Sequence, residues 1–132
     1  GWHLPSDAEW TELEYYLANN GYNYDGSVGG GRNKIAKSLA STNEWYTSYV
    51  TGAVGNTDYP NYRNKSGFTA LPGGSRRNYG SFSGIGSSGY WWCTSEGSVI
   101  SACYRRMYYD YSAVRRSTSI SELGVSVRCV KD

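Results

Sequence analysis

Ser6, with Pro5 just ahead of it and Glu9 three residues on, is the clearest helix start in this chain, and it constrains where the helical part of the fold must lie. A serine side chain at this position accepts from the amide three residues later, while the glutamate reaches back to the serine's own amide. The spacing predicts a helix from about Asp7 to Asn19 that stops at Gly21, with Trp10, Leu13 and Leu17 on one face. Glu9, Glu12 and Glu14 fall largely off that stripe and read as a solvated face rather than a catalytic pair. After the loop GYNYDGSVGGG, the segment NKIAKSLA predicts a short second helix with Ile35, Ala36 and Leu39 turned inward. Residues 41–66, rich in Gly, Asn, Thr and Tyr, read as an ordered but irregular insertion anchored by Trp45.

From Gly67 onward the signals are those of strands. FTAL runs into the turn PGG, and YWW follows Gly89. In the longer run from Ile100 to Tyr111 the apolar positions change phase, from Ile100, Ala102 and Tyr104 to Met107, Tyr109 and Tyr111. That shift predicts a bulge near Arg105-Arg106. The closing GVSVRCV alternates, with Leu123, Val125, Val127 and Cys129 on one face and Ser126 and Arg128 on the other. Helices first and antiparallel strands afterwards define an α+β domain. At 132 residues it is one domain with a real core, in which Trp10, Leu13 and Leu17 are expected to pack against a sheet carrying Val125 and Val127.

The chemistry changes after Trp91-Trp92. From Cys93 to Ile120 there is no Lys or Trp, one Glu (Glu96) and one Met (Met107), and Ser, Tyr, Arg, Gly and Val dominate. Tyr gives broad contact area at low entropic cost and Ser and Gly give adaptable polar contacts, which is the composition of a paratope. A net charge of +2 excludes a large nucleic-acid footprint. The charge is uneven: the C-terminal third holds Arg105, Arg106, Arg115, Arg116, Arg128 and Lys131. That end has either a modest preference for anions or simply a balanced, solvated surface.

Other features read as structure. GIGSSG (Gly84, Gly86, Gly89) has dinucleotide-loop spacing, but a strand rather than a helix follows it, so it is a loop. His3 is the only histidine and is wedged between Trp2 and Leu4, which favours packing over a triad. Asp25-Gly26 is a turn with too few oxygen ligands nearby for calcium. Trp91 and Trp92 face opposite sides of a strand, so at least one is core. Cys93, Cys103 and Cys129 fit no zinc spacing and read as small buried or semi-exposed thiols. No metal and no cofactor is expected. No apolar run is long enough for a transmembrane helix. The opening Gly1-Trp2 reads as a trimmed start, with any targeting segment or membrane anchor upstream.

In order and content, GWHLPSDAEW, NKIAKSLA, SGFTALPGG, GYWW and GVSVRCVKD resemble the Fibrobacter succinogenes major paralogous domain, and the resemblance spans the whole chain. LPSDAEW is also similar to the corresponding element of formylglycine-generating-type proteins. Both resemblances imply a C-type-lectin-like fold, two helices flanking a small twisted antiparallel sheet with long loops, in one domain over 1–132. Members of the family serve in some bacteria and phages as variable proteins of diversity-generating retroelements. In these, adenines of AAC-type codons mutate while the third base stays fixed, which excludes Trp, Met, Lys, Glu and Gln. The composition after Trp92 has that bias, which places a variable ligand-binding segment at about 89–132 and leaves Glu96 and Met107 as scaffold.

The ligand-binding residues that this implies are Cys93, Ser95, Gly97, Ser98, Cys103, Arg106, Tyr108, Tyr111, Arg115, Ser117 and Ser119, with Val99, Ile100 and Thr118 also among the diversified positions. The expected partner is a protein or glycan on another cell or surface, not nucleic acid, and the expected place is a bacterial surface, the extracellular space or a phage particle. A non-enzymatic receptor or adhesin is the leading reading. Alternatives are a non-diversified glycan-binding or adhesion module and a formylglycine-generating-type enzyme. The family also implies a Cys just before the Gly-Trp-His segment as the partner of Cys129, and that position lies outside this chain. The Glu-Pro-Asn-type calcium loop of sugar-binding lectins is missing, as is the cysteine motif of the formylglycine-generating enzymes. Arg106, Tyr108 and Arg115 should share one exposed face, with Cys93, Tyr111 and Ser117 nearby, while Met107 and Tyr109 point inward.

Overall fold

A computed structural model describes residues 1–94, 101–120 and 122–132. The first helix, α1, runs over Asp7–Asn19, as its capping signals require. Ser6 Oγ accepts from the Glu9 amide at 3.1 Å, and the Glu9 carboxylate accepts from the Ser6 amide at 2.8 Å. The helix ends at Asn20, and Gly21 turns the chain with φ +83°. The second helix, α2, is a single turn, Ala36–Leu39, with Ile35, Ala36 and Leu39 buried as the sequence predicts.

Among the described residues the strands are β1 Trp2–His3, β2 Gly73–Arg76, β3 Phe82–Ile85, β4 Ser88–Cys93, β5 Ser101–Tyr108, β6 Arg115–Ile120 and β7 Val130–Lys131. All paired strands are antiparallel, in the sets β1-β7, β2-β3 and β4-β5-β6. Between β6 and β7, Gly124 bridges Arg76 and Ser126 bridges Trp91, so the closing segment joins the β2-β3 ribbon to the edge of β4. Among the described residues no helix is long and apolar enough to cross a membrane.

The core lies between α1, α2 and the inner face of β4-β5. It contains Trp10, Leu17, Ile35, Leu39, Trp45, Trp91, Met107 and Val114. The long insertion 41–66 is held by the buried Lys37 and the half-buried Arg63 as well as by Trp45 and Val54 in the core. Lys37 Nζ donates to the carbonyls of Asn56 (2.8 Å) and Asp58 (2.5 Å) and pairs with the Asp58 carboxylate. Burial pushes the Lys37 ammonium below its ordinary range, and the Asp58 carboxylate opposes that shift. Arg63 donates to the carbonyls of Ser41 and Val54. Trp45 Nε1 donates to Ala70 at 3.0 Å, so the aromatic anchor is also hydrogen-bonded.

The glycines of GIGSSG serve a tight turn. Gly84 and Gly86 have φ of +79° and +83°, a Cβ on Gly86 would run into the Tyr46 ring, and one on Gly89 would run into Trp91.

Three expectations are corrected. There is no bulge at Arg105-Arg106: the β4-β5 register is unbroken from Ser88↔Tyr108 to Cys93↔Cys103. The phase never changes, because Arg105 occupies a core position between Cys103 and Met107 and is fully buried. Glu14 is buried too, as the partner of that arginine, rather than solvated. The closing segment does not turn Val127 and Cys129 inward. Val127 is 57% exposed and Cys129 is exposed, while the Arg128 guanidinium lies 4.6 Å from the Phe68 ring centre. Arg128, Val130, Trp10, Leu13 and Phe68 instead line an open apolar groove of about 450 Å³.

Leu13 therefore faces that groove, half-buried against the edge of the core. Leu17→Ala should cost about 2–5 kcal/mol as a fully buried truncation, and Leu13→Ala should fall below that range. Denaturant midpoints of the two variants check the order; equal losses would place Leu13 in the core after all.

Candidate functional site

Strand periodicity builds the site. In β5, Cys103, Arg105 and Met107 point to the core, so Tyr104, Arg106 and Tyr108 point the other way. The register then selects their neighbours. Opposite Tyr104, Arg106 and Tyr108 stand Trp92, Tyr90 and Ser88 of β4, and opposite Ala102, Tyr104 and Arg106 stand Ser119, Ser117 and Arg115 of β6. The outer face of β4-β5-β6 is thus a sheet of tyrosine, serine and arginine with one tryptophan.

The aromatic rings on it pack edge to face or tilted. Tyr90 lies 5.8 Å from Tyr104 and 6.4 Å from Tyr108, Trp92 lies 6.0 Å from Tyr104, and Tyr108 lies 5.6 Å from Tyr111. Each such pair contributes roughly 0.5–1.5 kcal/mol beyond its burial, so the face is preorganised. Two guanidiniums stack on it: Arg106 is 5.0 Å from the Tyr108 ring centre and Arg115 is 5.1 Å from that of Tyr111. Desolvation, helped by the Tyr90 hydroxyl, pushes the Tyr108 phenol up to about 12, so it remains a neutral hydrogen-bond donor at physiological pH. At the Tyr108 end the face sinks into a depression of about 490 Å³.

Of the sequence-selected residues, Arg106, Tyr108, Tyr111, Arg115, Ser117 and Ser119 come together here. Arg106 and Tyr108 are half-buried, Tyr111 and Arg115 are exposed, and Met107 is buried beneath them. Thr118 falls on the opposite face, in register with Cys103. Ser95, Gly97 and Ser98, with Val99 and Ile100, lie outside the described residues. Cys93 and Cys103 are corrected: both are 1% exposed, on the core face, and joined in a disulfide across β4-β5. They are directly paired residues with Cα atoms 5.2 Å apart, a separation within the disulfide range.

Sequence reasoning also missed Tyr90, Trp92 and Tyr104 as members of the face. Of the adjacent tryptophans, Trp91 is the core member, and Trp92 stands half-buried on the outer side. The alternation YWW-C against CYRRMY carries that information once Arg105 is placed inside.

Under the sheet, Arg105 joins the face to the helix. Its Nε donates to Glu14 Oε1 at 2.6 Å, Nη1 to Asp7 Oδ1 at 2.7 Å, and Nη2 to Thr11 Oγ1 at 3.2 Å. Arg116 donates to the same Asp7 oxygen at 2.7 Å, and Arg32 reaches Glu14 at 3.4 Å. The Arg116 and Arg105 guanidiniums hold the Asp7 carboxyl at about 2, and the Ser6 amide and His3 hold Glu9 at about 2. A carboxyl whose folded value is depressed adds stability above its unfolded value and loses it as pH falls toward the folded one. Stability should therefore decline as pH drops from about 4.5 to 2. Asp7→Asn should flatten that limb in urea titrations across this range; an unchanged slope would remove Asp7 from the account. Asp7 Oδ1 and the two sulfurs also lie close enough together for a metal, but the sulfurs are already bonded to each other.

The fold and face define an α+β domain that presents an aromatic and basic surface on the outer side of its three-stranded sheet. The chain belongs to the Fibrobacter succinogenes major domain family, whose model matches residues 1–131. No curated protein and no solved structure gives a significant match.

Proposed function

We propose that this domain is a non-enzymatic, ligand-binding receptor or adhesin module with a C-type-lectin-like fold, whose segment from about residue 89 displays a retroelement-diversified surface. The observation that carries this reading is the sorting in β5 and β6. Of the residues read as diversified, Arg106, Tyr108, Arg115, Ser117 and Ser119 stand outward, whereas Cys103, read the same way, joins Arg105 and Met107 on the core side. The lectin-like reading is supported by the pairing of the first and last strands and by the long insertion 41–66. The Cys93–Cys103 disulfide supports display at a cell surface or on a phage particle, because disulfides persist in oxidising surroundings. It also weighs against formylglycine-generating chemistry, since both sulfurs are bonded and buried.

The partner in this reading is a macromolecule on another cell or surface, and any membrane attachment comes from outside the domain. Sequencing the source genome tests the diversified part. A near-copy of the DNA encoding Gly89–Asp132, differing at adenines and lying beside a reverse-transcriptase gene, is the expected result. A genome with no such copy would leave an undiversified adhesion module.

A further inference from the structure

We infer that the depression at the Tyr108 end of this face binds an acidic protein segment, with one of its Asp or Glu carboxylates held between Arg106 and Arg115. The inference rests on the outer face being a binding surface and names the chemistry of what binds there.

Arg106 and Arg115 are directly opposed residues of β5 and β6. Like charges in that relation destabilise an antiparallel pair, so the arrangement costs the free domain something. Their chain neighbours Arg105 and Arg116 are satisfied by Asp7 and Glu14. Among the described residues neither Arg106 nor Arg115 has a carboxylate within 4.0 Å. The Arg106 Nε is buried and has no hydrogen-bond partner. A donor left in that state is ordinarily completed by a ligand or by water.

The stacking leaves the right edges free. With each guanidinium lying over a tyrosine, the N–H groups radiate in the plane of the fork, where a carboxylate can accept two parallel hydrogen bonds. Tyr108 and Tyr111 brace each other at 5.6 Å, which fixes the two forks relative to one another.

The same contacts favour a protein over a glycan. A sugar stacks on an open aromatic face, but Tyr108 carries Arg106 on its ring and has Tyr90 and Tyr111 against it, and Tyr111 carries Arg115. Asp110 lines the same depression, which suits an isolated carboxylate better than the dense charge of a polyanion.

The test is a calorimetric titration of the domain with a short Gly-Ser peptide carrying a single Glu, its Gln counterpart, and an oligogalacturonate. The acidic peptide should bind at least about tenfold tighter than the neutral one, since arginine anchors dominate such contacts, and should weaken with salt. Arg106→Gln combined with Arg115→Gln should remove that preference with the thermal midpoint retained. Should this variant fail to fold, Arg106→Lys with Arg115→Lys keeps the charge, loses the fork and should still lose most of the preference. Equal binding of both peptides overturns the inference and leaves the face a binding surface for neutral ligands. No binding of the acidic peptide, or unchanged binding by the lysine variant, overturns it as well. Tighter binding of the oligogalacturonate overturns the choice of a protein partner.

Discussion

Arg105→Ala should cost about 3–5 kcal/mol, the loss expected when one member of a buried ion network is removed and its partners keep their charge. Glu14 would then be left in a fully closed site with only the more distant Arg32 for compensation, and Thr11 would lose a donor. A domain of this kind has roughly 5–15 kcal/mol in total, so the variant should unfold at markedly lower denaturant. The companion experiment separates charge from shape. Arg105→Met with Glu14→Leu replaces the pair by apolar bulk, while Asp7 keeps Arg116. That double variant should recover most of the loss, because well-packed apolar replacements of buried pairs are often neutral or stabilising. Equal loss in the single and double variants would show that the hydrogen bonds to Thr11 and Asp7, not the buried charge, hold the joint.

Replacing Arg106, Tyr108, Tyr111 and Arg115 together with Ser should leave a cooperatively folded domain. The exposed members change stability by less than about 0.5 kcal/mol each, and the lost ring contacts add about 0.5–1.5 kcal/mol per pair. With two ring pairs lost, the sum comes to about 1–4 kcal/mol, no more than the loss of about 3–5 kcal/mol from Trp91→Ala alone, because Trp91 is buried against Phe68 and the core. Binding should fail in the fourfold variant and not before unfolding in Trp91→Ala. Thermal melts of the two variants side by side decide the matter. A fourfold variant that does not fold would make these residues structural and would remove the main physical support for a receptor.

Much of this division could be read in advance where the signals are local. The capping pair Ser6 and Glu9 fixed α1 to the residue, and Ile35, Ala36 and Leu39 identified the buried turn α2. What escaped was long-range pairing. Glu14 and Arg105 are 91 residues apart and each is polar, so each looks solvated until the other is brought to it. Counting Arg105 as outward forced a false change of phase in β5, and the bulge was inferred to repair it. The disulfide escaped for the same reason: only the β4-β5 register sets Cys93 against Cys103. In the closing segment the apolar alternation was real but misleading. The backbone of Ser126 is committed to Tyr90 and Trp92, and beside α1 Arg128 lays its guanidinium over Phe68. The site was half legible. Arg106, Tyr108, Arg115, Ser117 and Ser119 follow from composition, while Tyr90, Trp92 and Tyr104 belong to it only through register.

Interleaving two sets of residues along one strand has a consequence for how such a gene can change. In β5 the odd-numbered positions, Cys103, Arg105 and Met107, face the helix, and the even-numbered ones, Tyr104, Arg106 and Tyr108, face outward. Substitution at an even position leaves every odd position where it was. Insertion or deletion of a single residue exchanges the two sets, placing Tyr104 and Tyr108 where the helix packs and turning Arg105 out to solvent. Length is therefore what this strand must preserve, and sequence at alternate places is what it can vary, which suits a process that rewrites codons one base at a time.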